Sequence, residues 1–335
     1  MTGARRHDDV EPGRDPYRVP GHGRPGAAVT ADAVLRVLVG REHVFALDDQ
    51  GRAHGFDASG AIVASVAVGP LADAALHDEE RALAVASYGR GVTSLGEGGR
   101  ETRFVEHPAA VLACVGTSEG LVVGDQAGGL ALLVPERGAA RAEAIALRAP
   151  ILSIAVDGPT LAVVTEAGEA LVGGWPRSGS LSPVRGLRAD RPFHVAARPL
   201  RSGFAVVDRV RVHDVVGSEV ERTSRDFDEG VAAYVPTVDG GWLLEEDGKL
   251  HHLDTQLRAA PVALDVAGRP RGLAASADRA LVWTTRGELV SVAASGRARL
   301  VAKEGVLSAA TDARSGEIVA LTGGRALAVS RYARS

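Results

Sequence analysis

The stretch Val44-Phe45-Ala46-Leu47-Asp48-Asp49-Gln50-Gly51-Arg52-Ala53-His54-Gly55-Phe56 decides the fold. Two short, largely apolar runs flank an acidic turn centred on Gly51. The runs are too short for helices, and glycine tolerates the positive φ that tight hairpins demand. Working outward, an apolar run at residues 34–39 precedes this hairpin and another at residues 62–68 follows it. Together they read as a four-stranded antiparallel meander.

The same unit recurs along the chain. Its turns read Glu166-Ala167-Gly168-Glu169, Glu246-Asp247-Gly248-Lys249 and Arg286-Gly287-Glu288. In a degenerate unit, Phe204-Ala205-Val206-Val207 turns at Asp208-Arg209 without a glycine. Units begin near Leu71, Ala110, Ile151, Phe193, Val231, Arg271 and Val306, a spacing of roughly 35–42 residues that matches propeller blades. Units of this size cannot bury a core alone and must stack or form a ring.

The expected fold is therefore all-β: a single β-propeller of four-stranded antiparallel blades over residues 29–335. Eight blades are counted, and seven is the alternative if a weak unit is irregular. The last unit supplies only three apolar runs, so residues 27–32 are expected to add its fourth strand and close the ring, removing both sheet edges. Residues 1–28 read as a disordered Arg/Pro/Gly-rich tail, because Pro12, Pro16, Pro20 and Pro25 exclude a helix and little apolar surface offsets ordering. No segment keeps a helical stripe, and no strand–helix alternation suggests an α/β enzyme.

Composition narrows the classes further. Of 335 residues 45% are hydrophobic but only 4% aromatic, so the core must be Val, Leu and Ala in thin, closely packed sheets. The net charge of −4 gives no general attraction to nucleic acid or anionic membrane. Lys249 and Lys303 are the only lysines, and Ala, Gly and Val abound, a high-GC bacterial bias. The lone Cys114 cannot form an internal disulfide, which fits a reducing compartment. No secretory leader is read at the N-terminus, and no apolar run approaches the ~20 residues of a membrane span. A soluble cytoplasmic protein is expected.

The repeat resembles that of WD40-like and PQQ-like β-propellers, in which an acid precedes the hairpin glycine and an Asp follows the third strand, as Asp57 and Asp254 do here. The Trp-Asp dipeptide of WD40 blades is missing. Trp175, Trp242 and Trp283 sit at unlike positions, which does not fit the tryptophan docking of quinoprotein dehydrogenases, so no cofactor is expected. Degenerate bacterial propellers of this kind are similar to accessory subunits encoded beside ATPase or von Willebrand-type partners. A complete ring repeat with no convergent chemistry leads to the expectation of a non-catalytic scaffold or recognition subunit mediating protein–protein interaction in a bacterial multiprotein system.

Candidate sites follow from propeller geometry. The inner strands carry few polar residues: Arg36, Asp73, His77, His194 and Tyr234. They lie in well-separated blades, unlike the converging ligands of a metal or glycosidase site, and are expected to be water-bridged in the channel or hydrogen-bonded to neighbouring strands. His251 and His252 alternate across a strand and cannot chelate one ion together. The hairpin acids Asp49, Asp125, Glu166, Asp208 and Asp247, with Arg148, Arg191 and Arg269 in the loops entering blades, would share one face and orient a docked protein. Two further readings stay open: a hydrolase or lyase at the channel, and a small-ligand sensor using the channel as its pocket.

Overall fold

The computed structural model describes residues 34–333 apart from positions 49, 90, 135–138, 176–179, 200, 277–278, 313 and 324–326. It is an eight-bladed β-propeller built from 31 described strands, β1–β31 in chain order, with one 3-10 turn at Glu97–Gly99. The first blade is β1 (Val34–Val39), β2 (Val44–Asp48), β3 (Arg52–Phe56) and β4 (Ile62–Ala67), paired in that order. Six more four-stranded blades follow. The inner strands are β5 (Leu71–His77), β9 (Val111–Thr117), β13 (Ile151–Asp157), β17 (His194–Ala197), β21 (Val231–Thr237) and β25 (Pro270–Ser276). The eighth blade comprises β29 (Val306–Thr311), β30 (Ile318–Thr322) and β31 (Ala328–Tyr332). The expected closing strand at residues 27–32 lies outside the described residues.

The core is a set of eight apolar wedges, one between each pair of neighbouring blades. Strand β10 (Gly120–Asp125) shows how sequence builds them. Leu121 and Val123 point toward the second blade and meet Ala84, Ala86 and Val92, whereas Val122 points the other way onto Ile151, Leu161 and Val163. Alternate side chains leave a strand on opposite faces, and here both faces are covered. The middle strands are thus continuous apolar runs, not alternating ones. Outer strands alternate instead, as in β4, because one face meets solvent.

The last wedge closes the ring. Val37, Val44, Ala46 and Phe56 of the first blade pack on Val319 and Leu321 of the eighth. On the face formed by the hairpins between first and second strands, polar links reinforce this seam. Arg314 of the eighth blade donates to the Arg41 carbonyl at 2.6 Å and to Glu80 Oε2 at 2.7 Å. The Arg41 amide donates to the Glu80 carbonyl at 2.7 Å. The receiving turn is unusual: Asp78, Glu79 and Glu80 all have left-handed φ, at 50°, 51° and 65°. Such non-glycine residues each cost about 1 kcal/mol, offset here by contacts to two other blades.

Blades also approach closely near the axis. A Cβ on Gly116 of β9 would lie 1.9 Å from the Leu76 carbonyl oxygen of β5. Gly116→Ala is therefore expected to destabilise the protein by about 1–3 kcal/mol through overpacking, read as a lower midpoint in chemical denaturation. Unchanged stability would show that the two inner strands are not in this contact.

Candidate functional site

One face of the ring is a hydrogen-bonded belt. The hairpin joining the second and third strands of a blade is tied to the loop through which the chain enters that blade. Gln126 N donates to Ala110 O at 2.8 Å, Glu166 N to Pro150 O at 2.9 Å, Glu246 N to Gly230 O at 3.0 Å and Thr285 N to Arg269 O at 2.9 Å. The loop leaving the blade is tied to the same hairpin: Leu147 N donates to Gly128 O at 2.7 Å, Val231 N to Arg209 O at 2.8 Å and Val306 N to Gly287 O at 2.9 Å. Hairpins and inter-blade loops thus share one rigid face, as propeller geometry requires.

Several of these hairpins are in turn held by the side chain of the last residue of the second strand, or of the residue just after it. Asp48 Oδ1 accepts the amides of Gln50 and Arg52 at 3.0 and 2.8 Å. Asp125 Oδ1 accepts those of Ala127 and Gly129 at 2.8 and 2.7 Å, and Asp208 Oδ1 those of Val210 and Arg211 at 2.8 and 2.7 Å. In the seventh blade Thr284 Oγ1 takes this part, accepting Arg286 and Glu288 amides at 3.3 and 3.2 Å. These three acids use their second oxygen on a buried histidine: His54 Nε2 lies 2.9 Å from Asp48, His107 Nε2 2.8 Å from Asp125 and His213 Nε2 2.8 Å from Asp208. In the sixth blade Glu245 meets His251 Nε2 at 2.5 Å and accepts the Glu229 amide of the entering loop at 3.3 Å. The carboxylates can only accept, which places the proton on each Nε2.

The Asp208 pair is the most completely engaged. Its side chain also accepts the Asp190 amide at 3.1 Å, and His213 Nδ1 meets Thr223 Oγ1 at 3.1 Å. Burial alone pushes the Asp208 carboxyl pKa up, but the bonds from His213, Val210 and Asp190 outweigh it and hold the pKa below the usual value.

The expected docking residues divide in two. Asp125 and Asp208 are 5% and 0% exposed and belong to the internal caps, so they offer nothing to a partner. Glu166, Asp247, Arg148, Arg191 and Arg269 are exposed on the belt face. Asp247 pairs with Lys249 at 2.8 Å, and Asp49 lies outside the described residues. Asp48, Glu245 and the four histidines were not singled out as cap residues. Their signal was present as Asp48 and His54, and Glu245 and His251, each six positions apart. His252 is turned away from His251 and stacks on Trp242 at 4.7 Å between ring centroids.

The inner ring is stitched by side chains. Arg36 Nη1 donates to Asp73 Oδ1 at 3.1 Å and to the Ala74 carbonyl at 2.8 Å, while Asp73 Oδ2 accepts the Cys114 amide at 2.9 Å. Ser153 Oγ accepts the Val195 amide at 3.2 Å and lies 3.2 Å from His194 Nδ1. Burial, with the nearby Asp73 carboxylate, pushes the Cys114 thiol well up, which makes it a poor nucleophile. Among the described residues no group of three or more His, Cys, Asp or Glu side chains converges as a metal site, and no helix is long and apolar enough to cross a membrane.

No family model matches the chain, and no curated protein matches it. Solved structures do. The computationally designed protein Ika8 superposes with a TM-score of 0.69 at 12% identity, over 90% of this chain and 96% of that one. Apo AztD from Citrobacter koseri gives 0.61 at 15%, over 78% and 84%. The WD40 domain of Pan2 from Neurospora crassa gives 0.50 at 13%, over 62% and 70%. At these identities the likeness is one of fold.

The caps make a direct test. Asp208→Ala strands a buried histidine and two hairpin amides and should cost about 3–5 kcal/mol, whereas Glu166→Ala should change stability by less than about 0.5 kcal/mol. Because the folded pKa of Asp208 is lowered, its contribution is complete above the unfolded value, about 3.9, and is lost as pH falls through the folded value. Denaturant melts of both variants from pH 7 to 3 check this. Equal losses would rule out the cap.

Proposed function

We propose that this chain is a non-catalytic scaffold or recognition subunit that docks one or more proteins on the belt face. The observation that carries the reading is the belt itself. Its loops are locked to one another and to the blades, so the backbone that carries its exposed side chains need not be ordered on binding. The charges there are dense and of both signs over the fourth to seventh blades, including Arg148, Glu166, Arg191, Glu246, Asp247 and Arg269. Such a pattern orients a partner and rejects wrong ones more than it adds raw affinity.

The non-catalytic part rests on how titratable groups are used. His54, His107, His213 and His251, lying in a blade or its entering loop, each face one acid at the end of that blade's second strand. None is aimed at a shared reacting position, which general acid–base chemistry requires. The acid-capped hairpins favour placement among degenerate WD40-like or PQQ-like propellers. The arginine-rich, lysine-poor composition favours a bacterial source, and the single buried thiol a cytoplasmic setting. By the resemblance noted above, an ATPase or a von Willebrand-type protein is the leading partner class.

The test is charge reversal on opposite faces. Full-length tagged protein with Arg148→Glu, Arg191→Glu and Arg269→Glu should lose a specific co-purifying protein from the native host by about tenfold or more. A control with Arg201→Glu and Arg297→Glu, in loops of the opposite face, should retain it. Equal retention by both variants, with both folded by circular dichroism, overturns the face assignment.

A further inference from the structure

The arginines of the inner ring are not treated alike. Each blade's sheet ends at its inner strand, so neighbouring inner strands are joined by side chains. Arg36 reaches from the first blade to a carbonyl of the second and finds Asp73 beside it. In the fifth blade, Arg198 beside the inner strand and Arg222 on the outermost strand share Asp214 of the third strand. Arg271 makes the same kind of reach, from β25 to the carbonyls of Val306 and Leu307 in β29, at 3.3 and 2.9 Å from Nη2. It has no carboxylate within ion-pair distance among the described residues. Its Nε is enclosed without a hydrogen-bond partner among them, and burial pushes its pKa down with no acid to offset this.

A guanidinium stays charged under these conditions, so the inner ring between the seventh and eighth blades carries an uncompensated positive charge. The surroundings strengthen it. Arg271 lies near the start of β25, at the belt-face end of the ring. There the loop at Arg269 is bonded to the hairpin at Thr285, and the loop ahead of Val306 to the same hairpin at Gly287. Exposed Arg269, Arg286 and Lys303 stand on these segments. Glu288 is already engaged by the amides of Ala267 and Gly268 at 2.8 and 3.0 Å, which leaves Asp265 and Glu304 as the exposed acids of the sector.

We propose that Arg271 is the anchor of an anion site at the belt-face mouth of the channel, taking a small oxyanion, a carboxylate or phosphate group, between the seventh and eighth blades. With Nε enclosed and Nη2 given to the two carbonyls, Nη1 is the charged donor left for either group. Nη2 is held against two carbonyls, so the guanidinium is oriented before the ligand arrives, while Arg269, Arg286 and Lys303 raise the local anion concentration. The inference stands independently of protein docking, because it concerns a single side chain of the inner ring.

Two measurements on the full-length protein decide it. Inorganic phosphate and succinate are titrated separately in thermal-shift experiments, with sodium chloride at matched ionic strength as reference. A saturable rise in melting temperature with either ion, weakened about tenfold or more in apparent Kd by Arg271→Gln and retained in Arg297→Gln, is expected. Which of the two probes binds tells carboxylate from phosphate chemistry. Because Arg271→Gln also removes two inter-blade bonds, wild-type protein is treated in parallel with phenylglyoxal and mapped by mass spectrometry. The binding ion should protect Arg271 selectively over Arg297. Shifts that match chloride, together with no selective protection by either ion, mean that only general screening operates, and the proposal fails.

Discussion

No blade of this protein has a core of its own. Every strand in the middle of a sheet buries both faces, one against the preceding blade and one against the next. Apolar burial is the dominant favourable term in folding, and here it exists only between units. The contact of Val37, Val44, Ala46 and Phe56 with Val319 and Leu321 is therefore as necessary as any other wedge, although it joins opposite ends of the chain. The Arg314 links and the left-handed turn at Asp78–Glu80 reinforce the one junction that sequence continuity does not hold. The small aromatic content follows from the same geometry: wedges narrow toward the axis, where even the Cβ of an alanine at Gly116 would strike a neighbouring carbonyl.

The architecture was legible because its cause is repetitive. Runs such as Leu121–Val123 and Leu161–Val164, closed by a glycine turn, recur at blade spacing, and inner-strand starts read at Leu71, Ile151, Val231 and Val306 coincide with those of the structure. The candidate site was only half legible. Acids at a hairpin tip look alike in sequence, yet a shift of one or two positions decides their fate. Asp48, at the strand end, curls over the turn, and Asp247, at its tip, remains outside. The partner of Asp48 was within reach of sequence reasoning, since His54 returns on the next strand. For Asp208 the interval to His213 is one residue shorter, because that turn lacks the glycine. The partner of Asp125 was not within reach, since His107 comes from the inter-blade loop 18 residues earlier. Links such as Arg36 to Asp73, 37 residues apart, depend on how neighbouring blades align, which local pattern does not specify.

The polar residues of the inner strands are mainly structural. Each inner strand is a sheet edge with no ladder to the next blade, and a few side chains bridge the gap. Buried charges cost less where a counter-charge is adjacent, and Asp73 and Asp214 supply it for three of the arginines described above. Electrostatics at the seventh and eighth blades follow a different rule from the rest of the ring, which separates a local property from the general one of mixed charge on the belt.

The caps have a consequence for stoichiometry. Asp48, Asp125, Thr165, Asp208, Glu245 and Thr284 occupy equivalent stations in six blades, yet they differ in length, charge and company. The same station recurs from blade to blade in the fold, and the chemistry displayed there does not. These six stations are therefore chemically distinguishable, not one station repeated. For the docking proposed above, unlike stations favour one rotational setting of a bound protein over several equivalent ones.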